Sequence, residues 1–356
     1  MKDIDLNISF LNRISLKEKV FMTRQLATML GAGLAIDQSF KVLANQNPNP
    51  YLKKISASVV ADLQQGQNLS YAMSRYRDVF DPVFIAVVRS GESSGQLDLV
   101  LEQLANQMEL SQDFNSKVRS ALFYPAFVLV AMIAIIFVMM IYVIPQLKSV
   151  FTSTGAALPF TTQMIVSLSD FTVQYWWIDL IAVVVLGLGG YFFFKSEGGG
   201  STWDKLKIKL PIFSALYTQI YMARFCRTMS MLIKAGLPII ETIAITSDVI
   251  QNRVYAESLK KISAQVERGI PISIPMQQDK NFPPLVSEMI MVGEQTGKME
   301  KVLTKMADFY ESETDSLIKG IAGLIEPIII VVIGGGVGFL VYAILSPIYA
   351  ISATGF

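Results

Sequence analysis

This chain contains no histidine at all. That single absence excludes Ser-His-Asp triads, HExxH zinc sites and histidine phosphorelay together. Cysteine is nearly absent as well. Cys226 stands alone, so no disulfide forms within the chain, which fits a cytoplasmic place for its segment. Charge is scarce: 17% of the 356 residues are Asp, Glu, Lys or Arg, against about a quarter in soluble proteins. The net charge of +1 offers no basic field to nucleic acid, and none is expected as a partner. There is no GxxxxGK[ST] loop, so the chain carries no P-loop for hydrolysing nucleotide. The triple glycine at 198–200 lacks the lysine and the apolar helix of such a loop and reads as a flexible exit. The opening "MKDIDLNISFLNRISLKEKV" is polar and mixed in charge, without the apolar core of a secretory signal. No catalytic residue, metal site or cofactor is expected.

What is abundant is apolar side chain, 52% of the sequence. Three runs concentrate it. Phe123–Ile144 is uncharged; at 1.5 Å per residue it extends roughly 33 Å, enough for a bilayer core. Pro125 opens it and Pro145 closes it. Tyr175–Phe194 is interrupted by Asp179 but has Tyr175, Trp176 and Trp177 at one end and Tyr191–Phe194 at the other, an aromatic belt at each interface. Pro327–Tyr349 is again uncharged. Lys117 and Arg119 precede the first run, Lys195, Lys205, Lys207 and Lys209 follow the second, and Lys319 precedes the third, whereas the loop between the first two holds only Lys148. The positive-inside rule then places both large polar segments in the cytoplasm.

Those polar segments repeat. "AGL" at 32–34 returns at 235–237. Met22, Leu26, Met29, Leu30 and Gly33 lie on one helical face, and the same spacing brings back Phe225, Met229, Leu232, Ile233 and Gly236; Arg24 maps onto Arg227. Further on, with the offset shortened by one residue, the stripe Leu97, Leu101, Leu104 and Met108 maps onto Met299, Leu303, Met306 and Tyr310, Pro125 onto Pro327, and Pro145 onto Pro347. The pattern predicts an all-α integral membrane protein with two homologous cytoplasmic helical-bundle domains of about six helices each and three transmembrane helices. The expected order is a first helical domain (1–122), a transmembrane helix (123–145), a short periplasmic loop (146–174), a second transmembrane helix (175–194), a second helical domain (195–322), a third transmembrane helix (323–350) and a periplasmic tail (351–356). Turn signals at 45–50, 66–68 and 281–284 divide the domains.

The candidate functional positions come from the same repeat. "GESSG" (91–95) and "GEQTG" (293–297) place a glutamate, Glu92 or Glu294, between glycines. One reading is a partner surface; the other is a helix–helix turn, with Gly91, Gly95, Gly293 and Gly297 granting backbone freedom or close approach. In the turn reading Ser93 or Ser94 caps the following helix, Ser93 and Gln96 forming a capping box, and Thr296 caps in the second copy. Gly33 and Gly236 are candidates for packing after the first helix of each domain. Gly334 and Gly338 form a G-x-x-x-G pair, which suits packing within the chain or a dimer seam. Glu326 borders the third run, either as an interfacial anchor or, less simply, as a site of proton or ion passage.

The chain resembles the inner-membrane platform proteins of type IV pilus and type II secretion machines, the PilC/GspF family. The resemblance rests on "FMTRQLATMLGAGLAI" (21–36), "RFCRTMSMLIKAGLPI" (224–239), the two G-E-x-x-G stretches, "IKLPIF" (208–213) and "EPIIIVVIGGGVGFLVYAILSPIY" (326–349). It covers nearly the whole chain from about residue 16, although the segment before Ser15 is shorter than in some relatives. It implies a non-enzymatic protein of the bacterial inner membrane. The implied partners are a hexameric assembly ATPase, pilins or pseudopilins, other inner-membrane assembly proteins, membrane lipid and further copies of the chain. The competing readings are a small membrane transporter or channel component, which would want charges or broken helices at mid-bilayer, and a membrane-bound enzyme, for which the side chains are missing.

Overall fold

A computed structural model describes residues 14–146 and 213–353, with the short stretches 148–149, 163–164, 166–175, 177, 204 and 206–208 between them. All regular elements among the described residues are helices, as the 3.6-residue periodicity predicts. The first copy of the repeat supplies α1 (Leu16–Gly31), α2 (Ile36–Gln46), α3 (Pro50–Gln64), α4 (Leu69–Ser74), α5 (Pro82–Ser94) and α6 (Leu97–Val138). The second supplies α7 (Phe213–Lys234), α8 (Ile239–Val249), α9 (Arg253–Val266), α10 (Ser273–Gln278), α11 (Pro284–Thr296) and α12 (Met299–Ala353). Each helix of one copy has its counterpart in the other.

The boundaries follow from local chemistry. Ser15 and Glu18 form a reciprocal capping box at the start of α1. Proline occupies the first helical position of α3, α5 and α11, where its missing N–H costs nothing. Asn49 caps α3 through the Tyr51 and Leu52 amides, and Asp81 caps α5 through Phe84.

The chain divides into two compact units, each built from two segments: Met1–Lys117 with Asp204–Thr314, and Val118–Trp203 with Asp315–Phe356. The first unit holds both helical bundles. One core gathers Met22, Leu26, Phe40, Leu52, Phe80, Phe84 and Leu101; it also takes in Leu232 and Leu237 from the second copy. The other gathers Met222, Phe225, Cys226, Met229, Tyr255, Phe282 and Leu303, with an aromatic cluster in which the Phe225 and Phe282 rings lie 5.5 Å apart. Burial of the Cys226 thiol pushes its pKa far up and leaves it chemically inert.

In the second unit, α6 passes into a π-helical turn, Met139–Val143. The Ile144 amide donates to Met139 O, five residues back, so it is lost to Met140. The next residue is Pro145, which has no N–H to offer. The Met140 carbonyl is therefore orphaned by the backbone, and the Ser169 hydroxyl donates to it at 2.5 Å. Nearby, Lys148 pairs with Asp170 at 2.7 Å. Among the described residues no helix is long and apolar enough to cross a membrane. The expected first and third spans fall on α6 and α12, where several side chains lie outside the described residues; the expected second span, Tyr175–Phe194, lies almost wholly outside them, as does the side chain of Glu326.

Gly33 and Gly236 end α1 and α7 with φ of +85° and +82°. Around each, two amides reach back into the helix: Gly33 N to Leu30 O and Leu34 N to Met29 O, then Gly236 N to Ile233 O and Leu237 N to Leu232 O. A Cβ at Gly33 would meet nothing within 4 Å, and one at Gly236 only the Ser90 hydroxyl at 4.0 Å. Their requirement is thus the left-handed backbone rather than the close packing expected of them. Gly33→Ala and Gly236→Ala should each cost about 1–2 kcal/mol, read as a lowered unfolding midpoint of the detergent-purified chain. An unchanged midpoint would refute the backbone argument.

Candidate functional site

The two G-E-x-x-G stretches are not free turns between helices. Gly91–Ser94 form the last turn of α5, and Gly293–Thr296 form the last turn of α11. Only the final glycine lies outside the helix: Gly95 and Gly297 sit at φ +68° and +65°, where they reverse the chain into α6 and α12. Gln96 N donates to Gly91 O at 3.0 Å and Lys298 N to Gly293 O at 3.1 Å, completing the same C-terminal motif twice. The first glycine has a different task. A Cβ at Gly91 would stand 3.1 Å from Val100 Cβ and 3.2 Å from Leu97 Cα; one at Gly293 would stand 2.9 Å from Met299 Sδ and 3.1 Å from its Cα. The following helix leaves no room for a side chain there.

The serine and threonine of these stretches do not cap the next helix, contrary to the expected capping box. Ser93 and Ser94 donate back to the Arg89 and Gly91 carbonyls, and Thr296 donates to Val292 O. Because these residues already lie inside a helix, their hydroxyls find the carbonyl three or four residues behind them, not an amide ahead.

The glutamate reaches across the bundle. The Glu92 carboxylate accepts from the Leu69 and Ser70 amides and from the Ser70 hydroxyl. Glu294 accepts from the Ile272 amide at 2.6 Å, the Ser273 amide at 3.2 Å and the Ser273 hydroxyl. These donors are the first backbone amides of α4 and α10, two helices of six residues each. Neither helix has a side-chain cap of its own. Helices this short do not hold themselves together, and a carboxylate set against the positive end of the helix satisfies the orphan amides with charge-assisted bonds. Leu69, Met73 and Met276 are then anchored in their cores.

A second duplicated clamp escaped the sequence pattern. Arg24 on α1 grips Glu109 on α6 through two bonds of 2.7 and 2.6 Å and also donates to Asn106. Arg227 on α7 grips Glu311 on α12 and reaches Asp308 at 2.8 Å. Arg24 holds the Glu109 carboxyl below its usual range, and Glu109 raises the Arg24 guanidinium in turn. The depressed carboxyl contributes stability above the ordinary carboxylate range, and that contribution fades as pH falls through the folded-state value. The signal that would have found the pair is the recurrence of Glu109 as Glu311, and of Asn106 as Asp308, at the offset already used for the apolar stripe.

The two copies adjoin a cleft of about 550 Å³, lined among others by Lys19, Asp81, Gln107, Arg224, Arg227 and Glu311. Its charges are largely matched: Lys19 lies 3.6 Å from Asp81, and Arg227 is held by Glu311. Burial lowers the pKa of Arg224, which donates to Gln251 at 2.6 Å. Among the described residues no group of His, Cys, Asp or Glu is placed to hold a metal ion. Gly334 and Gly338 are exposed on α12, and a Cβ built at either meets nothing within 4 Å.

Replacing Glu92 or Glu294 with Ala removes the carboxylate that caps a six-residue helix. Each should lower stability by about 2–4 kcal/mol and reduce helical ellipticity, while Glu→Gln, which keeps one acceptor oxygen, should cost less. Full stability in the Ala variants would return these residues to the partner-surface reading. The two arginines should differ. Arg24→Ala breaks a half-exposed pair worth at most about 1 kcal/mol; Arg227→Ala strands a largely buried Glu311 and should cost about 3 kcal/mol. Equal losses in the unfolding midpoint would contradict this ranking.

Comparison with known proteins finds the same duplication. A family model, "Type II secretion system (T2SS), protein F", matches the chain twice, at residues 22–145 and 225–347. The chain is 32% identical to the type IV pilus assembly protein PilC of Myxococcus xanthus over 99% of its own length and 84% of that protein. It is 33% identical to PilC of Thermus thermophilus over 95% and 84%. It is 32% identical to the type II secretion system protein F of Vibrio cholerae over 96% and 84%. With two matched copies that bracket both glutamate-capped bundles, and with relatives aligned along almost the entire chain, this protein belongs to the type II secretion system protein F family.

Proposed function

We propose that the chain is a non-enzymatic platform of the bacterial inner membrane, serving type IV pilus assembly or type II protein secretion. The observation that carries this reading is the double family match joined to similarity, over nearly the full length, with proteins named for those two processes. The platform takes up the motion of a hexameric cytoplasmic ATPase and passes it to pilin or pseudopilin subunits as they leave the membrane. The chain has no phosphate-binding loop, so that energy must come from a partner. The repeat supports a pair of similar surfaces on one side of the membrane. The basic residues flanking the apolar runs support a cytoplasmic location for 1–122 and 195–322, with 146–174 and 351–356 on the periplasmic side.

Deleting the gene should abolish surface fibres or strand secreted substrates, with mature pilin or pseudopilin left in the membrane. The full-length chain, purified in detergent, should retain the ATPase encoded in the same machine. Intact fibres and intact secretion in the deletion strain would overturn the platform reading. Loss of fibres without ATPase retention would overturn the coupling step alone.

A further inference from the structure

Within the first unit the two copies of the repeat meet asymmetrically. α5 of the first copy rests against the corner between α7 and α8 of the second. The Ser90 hydroxyl donates to Ala235 O at 2.5 Å, and Arg89 pairs with Glu241 at 3.1 Å. Leu232 and Leu237 from the corner are buried in the first copy's core, with Met231 and Ile245 packed against it. Each copy thus contributes a different face to the contact: the first its α5 face, the second its corner.

A contact of this kind uses one face of each type and leaves one of each type unmatched. The second copy still presents its own α5-type face, on α11. The first copy still presents its own corner, between α1 and α2. Both are uncovered. Val83 on α5 is 8% exposed, whereas its counterpart Leu285 on α11 is 39% exposed. Leu237 in the occupied corner is 9% exposed, whereas its counterpart Leu34 is 38% exposed. Val292, which stands where Ser90 stands in the first copy, is also exposed. The free corner has the same backbone shape as the occupied one, since Ala32 and Gly33 repeat Ala235 and Gly236 with the same positive φ at the glycine. The chemistry of the unmatched pair is also compatible. Met291 and Gln38 replace Arg89 and Glu241, so neither half of that ion pair is left without its mate, and Val292 offers a methyl surface where Ser90 offers a hydroxyl. Glu288, exposed on the α11 face where Ala86 is buried on α5, is the one mismatch, and its carboxylate must stay in water or meet a cation when the contact forms.

The geometry points to head-to-tail association with a second copy of this chain: the α11 face of one molecule sits on the α1–α2 corner of the next. The contact between chains repeats the contact within the chain. A heterologous interface of this type leaves a free face at each end, so it propagates until a ring closes.

The test uses the full chain in its native membranes, with buried Cys226 left in place as an unreactive internal control. Ala32→Cys and Val292→Cys mark the two halves of the contact, both at exposed positions. Each single variant alone should give no dimer with a short bis-maleimide. Co-expression of the two single variants, differently tagged, should give a dimer containing one of each. The double variant should give a ladder of dimers and larger species. A dimer formed by either single variant alone would mean a two-fold contact and overturn the proposal. So would the absence of the mixed dimer, or a Val292→Cys product that contains a different protein instead of a second copy.

Discussion

The two bundles depend on one interaction made twice, a carboxylate closing the open end of a helix that it does not belong to. α4 and α10 are too short to persist unaided, yet each supplies apolar side chains that seal the bottom of a core. Glu92 and Glu294 hold them in place from the last turn of the next helix. The chain reverses three residues after the glutamate, and the two glycines of each stretch make that possible: one admits the following helix at contact distance, the other takes the left-handed turn. The three defined positions of G-E-x-x-G therefore form a single mechanical solution, and at the variable positions the hydroxyls of Ser93, Ser94 and Thr296 donate to carbonyls of their own helix.

The duplication has kept this solution through a change of length. Leu69 and Ser70 correspond to Ile272 and Ser273 at one offset, while Glu92 corresponds to Glu294 at an offset one residue shorter. The missing residue falls in the connection between the short helix and the next one. Within a helix, the same loss would rotate everything beyond it by about 100° and carry the glutamate off its target. In the connection, it leaves every helical register intact.

Much of this architecture is legible in the sequence. The apolar stripes beginning at Met22 and Leu97 mark core faces because a helix returns to the same side every 3.6 residues, and the matching offsets reveal the second bundle. The partners of Glu92 and Glu294 are not legible. They are backbone amides more than twenty residues away, and an amide leaves no mark on residue identity. Ser93 and Gln96 imitate a capping box, but the pattern cannot show that the preceding helix runs through Ser93 before it ends. Gly33 and Gly236 are visible as conserved copies of one another within the chain, although the reason, a positive φ rather than tight packing, belongs to backbone geometry. The arginine clamps were open to the same offset argument and required only that polar residues be aligned as carefully as apolar ones.

The contact of Ser90 and Arg89 with the α7–α8 corner has a kinetic meaning as well. Its two halves are tethered, so they meet at an effective concentration fixed by the intervening chain, and the buried Leu232 and Leu237, a hydrogen bond and an exposed ion pair keep them together. The same surfaces on separate molecules lack that tether and also lack the ion pair. They associate only as far as their crowding in a membrane allows. In the proposed head-to-tail contact a single duplicated surface would serve a tethered joint inside each molecule and an untethered one between molecules, with the tether and the ion pair together accounting for the difference in lifetime.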